Sequence, residues 1–118
     1  MVDDDASIRR ALGREIQILG FDVKVFQSAE ELLASDLPAD NACLLLDVYL
    51  RGMSGIELCR SMAASGRHLP TILMSGRDDE ATRQMMRLEE PIASLFKPFD
   101  QKTLLQAIRK ALRAVPKN

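Results

Sequence analysis

A small set of side chains in this sequence could do chemistry together if the fold gathered them. Asp3 and Asp4 stand near the start, with Asp5 behind them. Asp47 closes the apolar run Cys43-Leu44-Leu45-Leu46, Ser75 closes Thr71-Ile72-Leu73-Met74, and Lys97 closes Ile92-Ala93-Ser94-Leu95-Phe96. Carboxylates crowded together repel, so one must take a proton or find a cation. Lys97 can neutralise only part of that charge. Hard oxygens suit Mg²⁺, which keeps several waters and takes one or two protein carboxylates. A carboxylate can also attack phosphorus and form an aspartyl phosphate. A metal ion and a lysine then neutralise the phosphoryl oxygens in the transition state, and a serine hydroxyl can hydrogen-bond one of them afterwards. Asp47 ends the most apolar run and is the natural nucleophile; Asp3 and Asp4 are the natural metal holders.

These residues converge only if strands and helices alternate. A short apolar run without polar alternation reads as a strand covered on both faces of a parallel sheet. Its last residue then lies at the carboxyl edge, where open α/β sheets bind ligands. Along the chain, Met1-Val2 leaves almost nothing of a first strand. Ile8, Ala11, Leu12, Ile16 and Leu19 recur at helical spacing, with Asp5 or Ser7 as N-cap and Gly20 as stop. Phe21, Val23 and Val25 alternate with Asp22 and Lys24 and predict a strand with one buried face. Ser28 to Glu31 and Ser54 to Glu57 are two capping boxes, the second opening a helix that carries Ile56, Cys59 and Met62. Asp78 to Leu88 predicts a polar helix with Ala81, Met85 and Leu88 as its apolar stripe. Asp100 caps a last helix with Leu104, Ile108 and Leu112 on one side. Strands alternating with helices in this way predict parallel strands, right-handed crossovers and helices on both faces.

The motifs Val2-Asp3-Asp4-Asp5, Leu45-Leu46-Asp47, Gly52-Met53-Ser54-Gly55, Met74-Ser75-Gly76 and Phe96-Lys97-Pro98-Phe99 together resemble the receiver domains of two-component response regulators. The resemblance covers essentially the whole chain and is specific because all five occur in order at strand ends. It implies an α/β, flavodoxin-like, doubly wound five-stranded parallel sheet of order 2-1-3-4-5 with five helices, here with a truncated first strand. It implies that Asp47 accepts a phosphoryl group from a sensor histidine kinase or histidine phosphotransfer protein. Mg²⁺ would be held by Asp4, Asp47 and the backbone carbonyl of Tyr49, with Asp3 acting mainly through water. Ser75 would be the switch hydroxyl, Lys97 the phosphate partner, and the Lys97-Pro98 bond cis. Such a domain is not an enzyme beyond Mg²⁺-dependent self-phosphorylation and slow autodephosphorylation.

Four departures stand out. The first strand is clipped. Ser94 occupies a position where the family usually has an aromatic switch residue. Arg51 stands where proline is common. Glu89-Glu90-Pro91 replaces small residues beside a face that many receivers use to dimerise, so a monomer or weak dimer is expected. Tyr49 and Arg77 follow Asp47 and Ser75 by two residues, flank the approach of the hydrolytic water in the family, and are expected to modulate phosphoryl lifetime.

Composition narrows the field further. The chain has 118 residues with a net charge of -1, room for one domain over 1–118, with 115–118 a tail or linker stump. That charge offers no footprint for nucleic acid or an anionic membrane, and no apolar run reaches spanning length. Cys43 and Cys59 read as reduced core residues of a cytoplasmic protein, and His68 as an exposed loop residue, so zinc is not expected. Met74, Met85 and Met86 read as core filler. Arg109, Lys110, Arg113 and Lys117 read as a solvated face that complements a helix C-terminus. Taken singly, the acids could be turn and cap residues, Ser75-Gly76 a turn and Lys97 a surface lysine. A receiver-like interaction module that signals without phosphate is the alternative. A phosphohydrolase is disfavoured because Tyr49 stands where its second acid would be, and flavin binding because no phosphate loop follows the first strand. An effector domain, if one exists, is not within these residues.

Overall fold

The apolar run that closes at Asp47 folds as β1 (Leu44–Asp47), and each of its four residues is buried. In a computed structural model of the chain, which describes residues 1–38 and 40–114, β1 lies against β2 (Thr71–Ser75) and β2 against β3 (Ala93–Phe96), all parallel. The register sets Asp47 opposite Met74 and Ser75 opposite Phe96, so all three strands finish at one edge. Past the strand ends the pairing continues: Val48 N–H donates to the Met74 carbonyl at 2.9 Å and Lys97 N–H to the Ser75 carbonyl at 2.8 Å. The tail expected at 115–118 lies outside the described residues.

The sheet has three strands among the described residues, where five were expected. The other two positions are held by single parallel bridges, Val2 to Leu46 on one side and Val2 to Phe26 on the other. The expected lateral order 2-1-3-4-5 therefore survives as a succession of neighbours. Length explains the difference, since only Met1 and Val2 precede the acids. Those two residues still use their backbone well. Val2 N–H donates to Leu45 O at 2.9 Å, Asp47 N–H to Val2 O at 3.0 Å, and Phe26 N–H to Met1 O at 2.8 Å. The segment Phe21–Val25, expected to be a strand, forms no ladder, and Val25 leans into solvent.

Strand alternation splits the core between the two faces. Leu44, Leu46 and Leu73 point one way, onto Leu32 of α2 (Ala29–Leu33), Leu58 and Met62 of α3 (Gly55–Ala64) and Met86 of α4 (Glu80–Leu88). Leu45, Ile72, Met74 and Leu95 point the other way, onto Ile16 of α1 (Ala6–Ile18) and Leu104, Ala107, Ile108 and Ala111 of α5 (Gln101–Arg113). Each fully buried leucine or isoleucine contributes about 1.5–3 kcal/mol relative to exposure. A sheet covered on both sides needs apolar residues at every position, which is why β1 shows no alternation.

Helix starts follow the capping chemistry. Asp5, not Ser7, caps α1, and its carboxylate accepts from Ser7 N and Ile8 N. Ser28, Ser54 and Asp100 accept from Glu31 N, Glu57 N and Thr103 N. The fourth helix starts at Glu80 rather than Asp78, because the Asp79 side chain takes the Thr82 N–H and caps there. The inward face also differs from the expected one. Thr82 and Met86 are buried, whereas Ala81 is exposed, Met85 is 37% exposed and Leu88 69% exposed. The expected stripe of Ala81, Met85 and Leu88 is therefore the outer face. On α3 the enclosed residues are Gly55, Leu58 and Met62, with Ile56 and Cys59 half-buried.

Candidate functional site

The carboxyl edge of the sheet gathers the residues singled out by type and spacing. Asp3 is delivered by the bridged segment beside β1, Asp47 by the end of β1, and Lys97 by the residue after β3. Lys97 Nζ donates to Asp3 Oδ2 at 2.6 Å and to Asp47 Oδ2 at 2.8 Å. Asp3 is fully buried and Asp47 nearly so. A buried carboxylate is stable only when paired and hydrogen-bonded. Both conditions are met, because Asp3 Oδ1 accepts from Asp5 N–H and Asp47 Oδ1 from Tyr49 N–H, each at 2.9 Å.

One ammonium serves two enclosed carboxylates, and the charge balance shows in the proton affinities. Burial pushes the Asp47 carboxyl above its ordinary value, against the lowering pull of Lys97 and of the Tyr49 N–H, with the Asp3 charge adding to the rise. Burial alone would lower the Lys97 ammonium, but its hydrogen bonds to Asp3 and Asp47 outweigh that, and its pKa lies above the usual lysine value. An isolated ion pair would lower the acid while raising the base. Here the acid rises too, because desolvation of Asp47 exceeds what half a shared lysine returns. Lys97 is therefore firmly charged, and the site remains short of positive charge.

Asp4 completes the acidic group. One carboxylate oxygen from each of Asp3, Asp4 and Asp47 can be chosen so that all lie within 4.8 Å of one another. All donors are oxygens and one carboxylate is only half-buried, which fits a hard divalent ion that retains water. Asp4 Oδ2 also accepts the Arg51 N–H at 3.0 Å. A proline at position 51 would have no such donor, so the departure at Arg51 gives Asp4 a tether.

Ser75 ends β2, fully buried, and its hydroxyl is engaged by the Arg77 backbone. It donates to the Arg77 carbonyl and accepts the Arg77 N–H, both at 2.9 Å. The Arg77 guanidinium lies over the Tyr49 ring, 4.9 Å from its centroid. Ser94 is exposed on β3 and carries no ring to turn inward. The Lys97-Pro98 bond is cis, as expected. Cys43 and Cys59 are free thiols, half-buried, and His68 is an exposed loop residue.

Comparison with known proteins decides the family. Residues 1–109 match the family model described as the response regulator receiver domain. The chain belongs to the response regulator receiver domain family. It is similar to Nodulation protein W of Bradyrhizobium diazoefficiens, 35% identical over 108 residues, covering 92% of this chain and 48% of that protein. It is also similar to the response regulator protein TmoT of Ectopseudomonas mendocina, 35% identical over 116 residues, covering 98% of this chain and 53% of that one. This receiver domain thus spans about half the length of the curated relatives it matches. Among solved structures, the crystal structure of FixJ-N superposes with a TM-score of 0.86 at 30% identity, covering 97% of this chain and 91% of that one.

Several residues of the receiver site gave no signal in the sequence. Arg9 Nη1 donates to the Asp3 carbonyl at 2.8 Å, and Glu30 Oε2 accepts the Met53 N–H at 3.3 Å across the loop after Asp47. Both lie on helices, where a charged residue ordinarily reads as solvated surface. Gly55 closes the motif Gly52-Met53-Ser54-Gly55, and its role is spatial. A Cβ there would lie 2.2 Å from the Asp47 carbonyl oxygen, so the start of α3 can approach the end of β1 only as glycine.

Proposed function

We propose that this receiver domain accepts a phosphoryl group on Asp47 from a sensor histidine kinase or a histidine phosphotransfer protein, with Mg²⁺ as cofactor. The observation that carries the reading is the sharing of Lys97 between buried Asp3 and Asp47, with an Asp4 oxygen within 4.8 Å, at the carboxyl edge of the sheet. Asp4, Asp47 and the Tyr49 carbonyl would hold the ion, with Asp3 mainly through water. When bound, the ion supplies charge neutralisation for phosphoryl oxygens. In the transfer, a carboxylate oxygen of Asp47 bonds to phosphorus as the bond from phosphorus to the donor imidazole nitrogen breaks. The electron pair stays on that nitrogen. Lys97 holds its charge beside the reacting oxygens throughout. Ser75 leaves the Arg77 backbone and donates to a phosphoryl oxygen, shifting a pre-existing equilibrium toward the signalling state.

Hydrolysis reverses the modification: water attacks phosphorus, inorganic phosphate leaves and the Asp47 carboxylate is restored. Tyr49 and Arg77 flank this approach, so the lifetime of the acyl phosphate depends on them. Tyr49→Ala and Arg77→Ala are each expected to change the dephosphorylation rate several-fold, and unchanged rates would remove them as modulators. The domain does no other catalysis, acts in the cytoplasm as a monomer or weak dimer, and does not touch nucleic acid or membrane itself. No helix among the described residues is long and apolar enough to cross a membrane.

The alternative, an interaction module independent of phosphate, draws support from Ser94 and from the satisfied Ser75 hydroxyl. Beryllofluoride with Mg²⁺ separates the two. The phospho-acceptor reading predicts chemical-shift changes at the Gly76 and Arg77 amides as Ser75 turns. An interaction module predicts none at saturating concentrations.

A further inference from the structure

One buried polar side chain has no part in the chemistry above. Thr82 is fully buried on α4, and its Oγ1 lies 2.5 Å from Tyr49 Oη, 33 positions away in sequence. Tyr49 as a residue is 37% exposed, and its hydroxyl reaches inward to this buried partner. Around it the contacts close into a circuit. The Tyr49 N–H holds Asp47 Oδ1, and the Tyr49 ring carries the Arg77 guanidinium on its face. Arg77 also reaches Asp79 Oδ2 at 3.1 Å, and Asp79 Oδ1 takes the Thr82 N–H at 2.7 Å. The Arg77 backbone in turn grips the Ser75 hydroxyl from both sides. Two paths therefore leave the sheet edge, one from Asp47 and one from Ser75, and both end on the first turn of α4.

We propose that Thr82 is a positioning residue that, through the Tyr49 hydroxyl, holds the loop after Asp47 and the start of α4 in the resting arrangement, and that this bond is given up when Ser75 turns toward a group carried on Asp47. The inference rests on the reading of Asp47 as phosphoryl acceptor. Its physical basis is exclusion. Ser75 cannot face Asp47 and keep both bonds to Arg77. Once the Arg77 backbone moves, its guanidinium leaves the Tyr49 ring, and the Thr82 bond is the remaining tie between that ring and α4. Ser94 supplies no ring at the neighbouring strand, so the aromatic that responds is Tyr49.

A bond present only in the resting state stabilises that state. Its removal must tighten binding of whatever favours the other state, by linkage. A hydrogen bond of this kind corresponds to roughly a 2- to 10-fold change in affinity.

The test is a titration with beryllofluoride and Mg²⁺ on the parent, Thr82→Val, Tyr49→Phe and the double variant. Bound fluorine is counted by ¹⁹F NMR. Tyr49 is the only tyrosine and the chain has no tryptophan, so ultraviolet emission reports that ring alone in the parent and in Thr82→Val. The expected result is a change in parent emission on binding, roughly 2- to 10-fold tighter binding by each single variant, and no further gain in the double variant. The resting emission of Thr82→Val is expected to lie nearer the bound value. Unchanged or weaker binding by the single variants, with ¹⁹F showing uptake, overturns the proposal while leaving Asp47 as acceptor. Absence of bound fluorine in the parent overturns the acceptor reading, and the proposal falls with it. If Thr82→Val fails to fold, Tyr49→Phe, altered on a residue that is 37% exposed, decides the affinity arm alone.

Discussion

At the scale of single residues, the site stores electrostatic tension. Asp3 and Asp47 are enclosed, Asp4 is half-enclosed, and Lys97 pairs with the first two. Like charges at such separations cost several kcal/mol at an effective dielectric of about 20, and solvent at Asp4 reduces this to about 1 kcal/mol. Asp4→Asn keeps an oxygen for the Arg51 N–H and removes one charge. It is expected to raise metal-free stability by about 1 kcal/mol and to abolish stabilisation by Mg²⁺, read from urea midpoints with chelator and with added ion. A metal-free loss of stability would show that the carboxylates are not in conflict. Cys59 gives a second residue-scale prediction. Burial, with the Glu89 charge behind it, pushes its thiol from 9.0 up to about 11. A raised thiol pKa leaves stability intact below pH 9.0 and erodes it toward about 11. Near pH 8 the thiolate fraction is about a hundredfold below that of an ordinary thiol, and alkylation is expected to slow by a similar factor. Alkylation as fast as that of a free peptide thiol would contradict the enclosure of Cys59. Asp3, Asp47 and Lys97 were legible because a charged residue closing an apolar run has few roles besides the sheet edge. Thr82, Arg9 and Glu30 were not, since their partners lie on other elements and a helical polar residue ordinarily faces water.

At the scale of elements, the helices obey capping chemistry closely enough that their starts could be placed from Asp5, Ser28, Ser54 and Asp100. The fourth helix shows the limit. Asp78 and Asp79 are both good caps, and only the bond from Thr82 N–H to Asp79 chooses between them. With the stripe residues spread thinly over a polar sequence, the inward face could not be told from periodicity alone. The corrected face makes a clean prediction. Met86→Ala removes a fully buried side chain and is expected to cost about 2–5 kcal/mol, whereas the adjacent Met85→Ala is expected to cost under about 0.5 kcal/mol. Comparable losses in the two variants would return the helix to the other orientation. Gly55→Ala addresses the approach of α3 to β1. A Cβ at 2.2 Å from the Asp47 carbonyl must push backbone against backbone, with a cost of about 2 kcal/mol or more. The damage should reach the site, because the displaced peptide is that of Asp47, so Mg²⁺ affinity is expected to fall together with the denaturation midpoint. Retention of both would mean that the α3 start yields freely.

At the scale of the whole molecule, two apolar layers sandwich a short sheet whose first two positions are little more than bridges. The doubly covered sheet was legible from uninterrupted apolar runs alternating with amphipathic segments. The reduction from five strands to three was only half legible. The shortness of the segment before the acids, Met1-Val2, was plain, but the loss of a ladder along Phe21–Val25 follows from having so short a partner, a non-local cause that alternation cannot reveal. The most direct measurement is phosphoryl uptake followed by intact mass, with acetyl phosphate and Mg²⁺, on the parent and on Asp47→Asn. The account predicts one added phosphoryl group on the parent, not formed when the metal is chelated before the phosphodonor is added, and absent from Asp47→Asn. Equal uptake by the two proteins would contradict it.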